Sequence, residues 1–98
     1  MLEIVQSDTF VKWLSKLADR QAKARVQVRI DRLALGNPGD VKAVGEGVSE
    51  MRIDYGPGYR VYFMQRGPIV IVLLCAGTKR TQRTDIRRAV AIAKDWRD

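Results

Sequence analysis

Apolar positions along the chain follow one period in the first third and another in the middle. Residues 2–6 (LEIVQ) form a short apolar and β-branched run that stops at Ser7 and Asp8, both good helix N-caps, so a strand is expected to feed directly into a helix. Phe10, Trp13, Leu14 and Leu17 then recur at i, i+3, i+4 and i+7, which is one face of a helix over residues 9–17. Asp19 is placed to cap a second helix in which Ala22, Val26, Ile30 and Leu33 share a face, while Lys23, Arg25, Gln27 and Arg32 point elsewhere. That pattern stops at Gly36-Asn37-Pro38. Residues 36–47, with four glycines and a proline, read as a loop or an irregular edge strand.

From there the period becomes two. Residues 49–54 (SEMRID) and 59–66 (YRVYFMQR) read as strands joined by Tyr55-Gly56-Pro57-Gly58, and Gly67-Pro68 turns the chain into a third strand over residues 69–76. These three form an antiparallel meander. A last helix over residues 84–96 is expected to bury Ile86, Ala89, Val90 and Ala93, with Trp96 closing that helix over Trp13. The order of strand, two helices, three strands and helix predicts an α+β fold, a small antiparallel-rich sheet with helices packed on one side. Its expected core is Trp13, Leu14, Leu17, Val26, Ile30, Leu33, Ile53, Val61, Ile71, Leu73, Val90 and Ala93.

Length and composition narrow the function classes. The 98 residues suffice for a single domain, 1–98, with one modest core. No apolar stretch approaches the roughly 18 residues of a membrane span, and MLEIVQSDTF lacks the basic and apolar regions of a signal segment, so a cytoplasmic protein is expected. One cysteine and no histidine argue against an internal disulfide, a cysteine-based metal cage or an imidazole base. No metal and no cofactor are therefore expected, and Cys75, inside an apolar strand run, reads as a small buried thiol. The net charge of +7 is uneven: residues 1–49 hold 8 basic and 6 acidic groups, residues 50–98 hold 10 and 5. Such an excess suits a polyanionic partner such as nucleic acid or an acidic protein segment.

Alternation places the candidate chemistry. Glu50 and Arg52 face opposite to Met51 and Ile53, and Arg60, Tyr62 and Met64 share one face of the next strand, so these groups are expected to form a polar surface on the open face of the sheet. The strand after that empties into Lys79, Arg80 and Arg83 at its C-terminal end, bordering that surface. The plain reading of each is also open. Glu50 and Arg52 suit ordinary salt bridges with Arg60, worth roughly 0–1 kcal/mol when exposed. Tyr59 and Tyr62 suit packing, and Asp85 suits the first turn of a helix whatever its function.

The segment GVSEMRIDYGPGYRVYF followed by IVLLCAGTKRTQRTDIRRAVAIA resembles the C-terminal two thirds of the RelE/ParE superfamily of toxin-antitoxin toxins, nearest the HigB-like addiction-module killer proteins. The residues that carry the resemblance are an E-x-R strand, a G-Y-R-V-Y-F strand, an apolar strand ending in a Lys-rich loop with a Thr-Gln pair, and a D-I-x-x-A helix. The resemblance implies a toxin that enters the ribosome and cleaves mRNA as a metal-independent endoribonuclease, an mRNA interferase held inactive by an antitoxin of helix-turn-helix type. It places the family's basic strand residues on Arg52 and Arg60 and its basic loop on Lys79 and Arg80. The start of the final helix, where members carry a tyrosine or an aspartate, here reads Thr84-Asp85-Ile86.

Cleavage by the 2′-hydroxyl of RNA needs a proton acceptor, cations on the phosphorane and a donor for the leaving oxygen. The candidate catalytic set is therefore Arg52 and Arg60 on the phosphate, with Glu50, Asp85, Lys79 or a tyrosine handling protons, and Arg80, Arg83, Tyr62 and Arg87 are candidate RNA contacts. Two other functions stay open: a ParE-like toxin that inhibits DNA gyrase through protein contacts, and a non-catalytic RNA-binding module.

Overall fold

The computed structural model describes residues 1–97. Its elements in chain order are β1 (Glu3–Gln6), α1 (Asp8–Lys16), α2 (Arg20–Ala34), β2 (Val41–Gly45), β3 (Val48–Ile53), β4 (Tyr59–Arg66), β5 (Val70–Thr78), a 3₁₀ turn (Lys79–Thr81) and α3 (Gln82–Asp95). The five strands form one sheet in the order β1-β5-β4-β3-β2. β1 runs parallel to β5, and the β2 to β5 pairings are antiparallel.

The entry into α1 is built by Ser7, whose backbone is extended and whose hydroxyl accepts from Phe10 N at 3.0 Å. That hydroxyl also donates to Leu74 O at 2.5 Å, tying the helix start to β5. Ser7 is 4% exposed, so removing the hydroxyl strands two buried backbone groups. Ser7→Ala is expected to cost about 1–2 kcal/mol in urea or thermal unfolding; a change within a few tenths of a kcal/mol would show that water replaces the cap.

Two apolar layers lie on opposite faces of the sheet. On one, α1 and α2 bury Phe10, Ala22, Val26, Ile30 and Leu33 against Met51, Ile53, Val61, Phe63, Ile71 and Leu73. Full burial of each aliphatic side chain is worth about 1.5–3 kcal/mol, so α2 is held by its four-residue stripe and not by helix propensity. On the other, α3 lays Ala89, with Ile86, Val90, Ile92, Ala93 and Trp96 partly buried, over Val48, Tyr62, Met64, Val72, Leu74 and Cys75.

This corrects three expectations. The helices do not share one side of the sheet, and the face carrying Glu50 and Tyr62 is not open, because α3 packs across it. The sheet consequently lies between Trp13, which packs in the first layer, and Trp96, which packs in the second. Trp96 therefore does not close over Trp13. A bulge contributes to the second layer: Tyr62 pairs with Cys75 but Phe63 pairs with Leu73, leaving Leu74 extra on β5, so Leu74 and Cys75 both face α3.

The glycine-rich stretch before β3 contains the edge strand β2. It is joined to β3 by a two-residue turn, Glu46-Gly47, with φ of 57° and 77°, the positive pair of a tight hairpin turn. α3 starts at Gln82, two residues earlier than the sequence pattern suggested.

A candidate nucleic-acid interface around a buried carboxylate

The β3/β4 register sets Glu50 opposite Tyr62 and Arg52 opposite Arg60, with all four side chains on the α3 side of the sheet. Glu50 is fully buried. Its Oε1 accepts from Arg52 Nε at 3.1 Å and lies 3.8 Å from Arg60 Nε. Its Oε2 accepts from Tyr62 OH at 3.0 Å and from Gln82 Nε2 at 2.7 Å. Burial pushes the Glu50 carboxyl up, but hydrogen bonds from Gln82, Arg52 and Tyr62, together with the Arg52 charge, outweigh it and leave the group below the usual carboxylate range. Glu50 is thus an anion at neutral pH with each oxygen already engaged.

Burial, reinforced by the Glu50 charge, raises the Tyr62 phenol far above its ordinary value, so it stays a neutral donor. Tyr62 is also fully buried, so this candidate RNA contact touches Glu50 and not solvent.

The two arginines differ. The Arg52 side chain is 34% exposed and that of Arg60 12%. Arg60 Nη1 donates to Tyr59 O at 3.2 Å, while its buried Nε has no hydrogen-bond partner. The corner beside it is tight: Lys79 N donates to Gly58 O at 2.7 Å, and a Cβ on Gly58 would sit 3.4 Å from Arg60 Nη1 and 3.5 Å from Lys79 Cβ. Gly58 has φ of +81°, which glycine adopts without strain. Lys79 is brought next to Arg60 in this way. Arg80 shares its 3₁₀ turn, and Arg83 and Arg87 follow on α3 with the spacing of one helix face. All four of these cations are exposed.

Asp85 is hydrogen-bonded outside the Glu50 cluster, although its charge also bears on the Tyr62 phenol. It is 6% exposed and accepts from Thr81 Oγ1 at 2.5 Å. Its carboxylate rests on Gly77, the register partner of Arg60, where any Cβ would overlap it. Cys75, which donates to Asp85 O at 3.4 Å, has its thiol pushed up to about 12 by burial and the Asp85 charge, so it is not a nucleophile. Among the described residues no group of three or more His, Cys, Asp or Glu could hold a metal ion, and no helix is long and apolar enough to cross a membrane.

Gln82 is the residue the candidate list lacked. It makes the shortest contact to Glu50 and ties the first turn of α3 to the arginine pair. Its only signal in the sequence is the Thr-Gln pair after the last strand.

The fold and this site define a class: a small, basic α+β domain of RelE-like form, with two arginines and a lysine gathered at one end of a sheet. Residues 12–97 match the family described as Phage derived protein Gp49-like, and the chain belongs to that family, which is a toxin-like family of RelE/Gp49 type. The chain is also 46% identical over 94 residues to a Haemophilus influenzae protein described as uncharacterized, an alignment covering 96% of this chain and 95% of that one.

Proposed function

We propose that the protein is the toxin of a toxin-antitoxin module and acts as a HigB-like mRNA interferase, cutting mRNA at the ribosome without a metal. The observation that carries this reading is the arginine pair anchored on one buried carboxylate beside Lys79. A phosphate accepts well from planar guanidinium forks, and a phosphorane gathers more negative charge than the phosphodiester it comes from. Cations fixed before the reaction stabilise that charge without reorganising. Arg60 and Arg52 are assigned to the phosphate oxygens, with Lys79 beside them. Arg80, Arg83 and Arg87 are assigned to flanking phosphates along the exposed face of the 3₁₀ turn and α3.

Glu50 takes a different role from the proton acceptor the sequence allowed. Its oxygens are held by side chains of the protein, so it positions the arginines. Tyr62 and Gln82 hold Glu50 in turn. A toxin-like family implies an antitoxin, and the exposed cations of α3 suit one that lays acidic side chains over them.

The test is induced expression in a bacterium with transcriptome-wide mapping of mRNA 5′ ends, alongside a gyrase supercoiling assay on purified protein. Growth arrest with new internal mRNA ends is expected, and gyrase should be unaffected. Arrest with intact mRNA and inhibited gyrase would replace this reading with the ParE-like one.

A further inference from the structure

The pairing of β1 with β5 ends at Leu73, so the outer edge of β5 from Ala76 to Thr78 has no neighbouring strand. α1 and α3 flank this edge and leave a cleft of about 430 Å³, lined by Trp13, Gly77, Thr81, Thr84, Asp85 and Arg88 among others. We propose that this cleft reads a guanine base in single-stranded RNA, with the Asp85 carboxylate on its Watson–Crick edge and the Trp13 ring as the surface against which it lies. The proposal rests on the RNA reading above and adds a base to it.

Asp85 carries the argument. Its carboxylate is buried and receives one hydrogen bond, from Thr81 to Oδ2, while no donor reaches Oδ1 among the described residues. No ion pair to it forms among those residues either. A carboxylate accepts at about four lone-pair sites, so Asp85 keeps acceptor capacity on the side that solvent reaches. The unmet acceptor capacity lines a cleft that opens to solvent. Gly77 is what admits it, since a Cβ there would also come within 2.7 Å of Thr81 Oγ1.

A base that takes the place of solvent in this cleft must offer Oδ1 N–H groups. Adenine and cytosine offer one amino group, uracil one ring N–H, and guanine two adjacent N–H groups, N1 and N2, one for Oδ1 and one for Oδ2, which would then accept a second bond beside that from Thr81. Single-stranded RNA is commonly read in this manner, by hydrogen bonds to the base edge and stacking on an aromatic ring. Trp13 is held by Phe10 and Tyr59, with ring centroids 5.9 and 6.0 Å away, so a fixed indole borders the cleft. The location fits as well. Gly77 sits opposite Arg60 in the β4/β5 register, so the base and the proposed phosphate site lie on adjacent strands.

The experiment uses the full chain and 2′-O-methyl RNA tetramers, which bind but lack the attacking hydroxyl. Each carries one guanine, inosine, adenine or cytosine in a uridine background, and binding is read by fluorescence anisotropy at fixed salt. Guanine is expected to bind at least about tenfold tighter than inosine, which lacks the 2-amino group, consistent with the discrimination of a bidentate base contact. Asp85→Asn should bring the two within about twofold. Equal affinities for guanine and inosine in the wild-type protein overturn the proposal, as does a guanine preference that survives Asp85→Asn. The wild-type comparison decides it even if that variant fails to fold. Cleavage is scored separately, on mRNA being translated by ribosomes. Guanine preference without cleavage sinks the interferase reading alone, and cleavage without guanine preference sinks this site alone.

Discussion

Arg60→Ala is expected to fold, to lose growth arrest, and to cut mRNA roughly two or more orders of magnitude more slowly, as for removal of one preorganised transition-state donor. Arg60→Lys should fall between that variant and the wild type, because it keeps the charge and loses the planar fork. Folding should survive because Glu50 keeps its hydrogen bonds from Arg52, Tyr62 and Gln82 when Arg60 is gone. The 3.8 Å ion pair that is lost is the longest contact Glu50 makes. Arg60 Nε, ion-paired at 3.8 Å but making no hydrogen bond, sharpens the expectation. A buried donor without an acceptor costs stability, so its removal relieves part of what the lost ion pair contributed. If Arg60 only paired with Glu50, activity would be almost unchanged. A folded Arg60→Ala protein that still cuts mRNA at the wild-type rate would remove the phosphate site proposed above, and a non-nucleolytic target would then be favoured.

Much of the architecture is legible in the sequence because its signals are local. The strand-to-helix step at Ser7, the stripe of Ala22, Val26, Ile30 and Leu33, and the period-two runs of the meander each report a backbone conformation directly. The side of the sheet on which α3 packs is not local. The alternation of Glu50, Arg52, Arg60 and Tyr62 looks like a solvated face, and four polar side chains in a row conceal that they satisfy one another under a helix. Nor does alternation show the bulge at Leu74, which turns two consecutive residues to the same side. The hairpin turn at Glu46-Gly47 was hidden for a simpler reason: glutamate at a positive φ gives no turn signal of the kind that Asn-Gly gives.

Site residues divide along the same line. Arg52 and Arg60 could be named as neighbours because cross-strand pairing follows from the turn between their strands. Gln82 could not, since its contact with Glu50 spans 32 positions and depends on where α3 crosses the sheet. Asp85 was legible as a first-turn carboxylate, which is what a helix start favours with or without a ligand. Its burial against Gly77 belongs to the tertiary structure alone.

The largest effect on stability is expected at Glu50. Removing one partner of a buried, hydrogen-bonded ion pair costs about 3–5 kcal/mol, and the lower end applies here because Arg52, 34% exposed, keeps its contact with water while Arg60, 12% exposed, largely does not. For a domain whose total stability is of order 5–15 kcal/mol, Glu50→Ala should bring the protein near or past unfolding at 37 °C. Glu50→Gln keeps the shape and serves as the informative variant. It should fold with a clearly lower urea midpoint and cleave about a hundredfold more slowly, since Arg52 and Arg60 would no longer be held at fixed positions.

The pH dependence separates an anchoring charge from mere packing. The folded Glu50 carboxyl titrates below its unfolded value of about 4.3. Its contribution is therefore present in full above that unfolded value and is lost as pH falls through the folded one. Urea midpoints measured from pH 7 down to pH 3 should thus fall more steeply for the wild type than for Glu50→Gln, so that the two curves draw together toward the acid end. Combining Glu50→Gln with Arg60→Met should recover part of the lost stability, because the stranded guanidinium is gone, and should recover none of the cleavage. Parallel acid profiles for wild type and Glu50→Gln would mean that the carboxylate does not carry the charge on which the arginine pair is anchored.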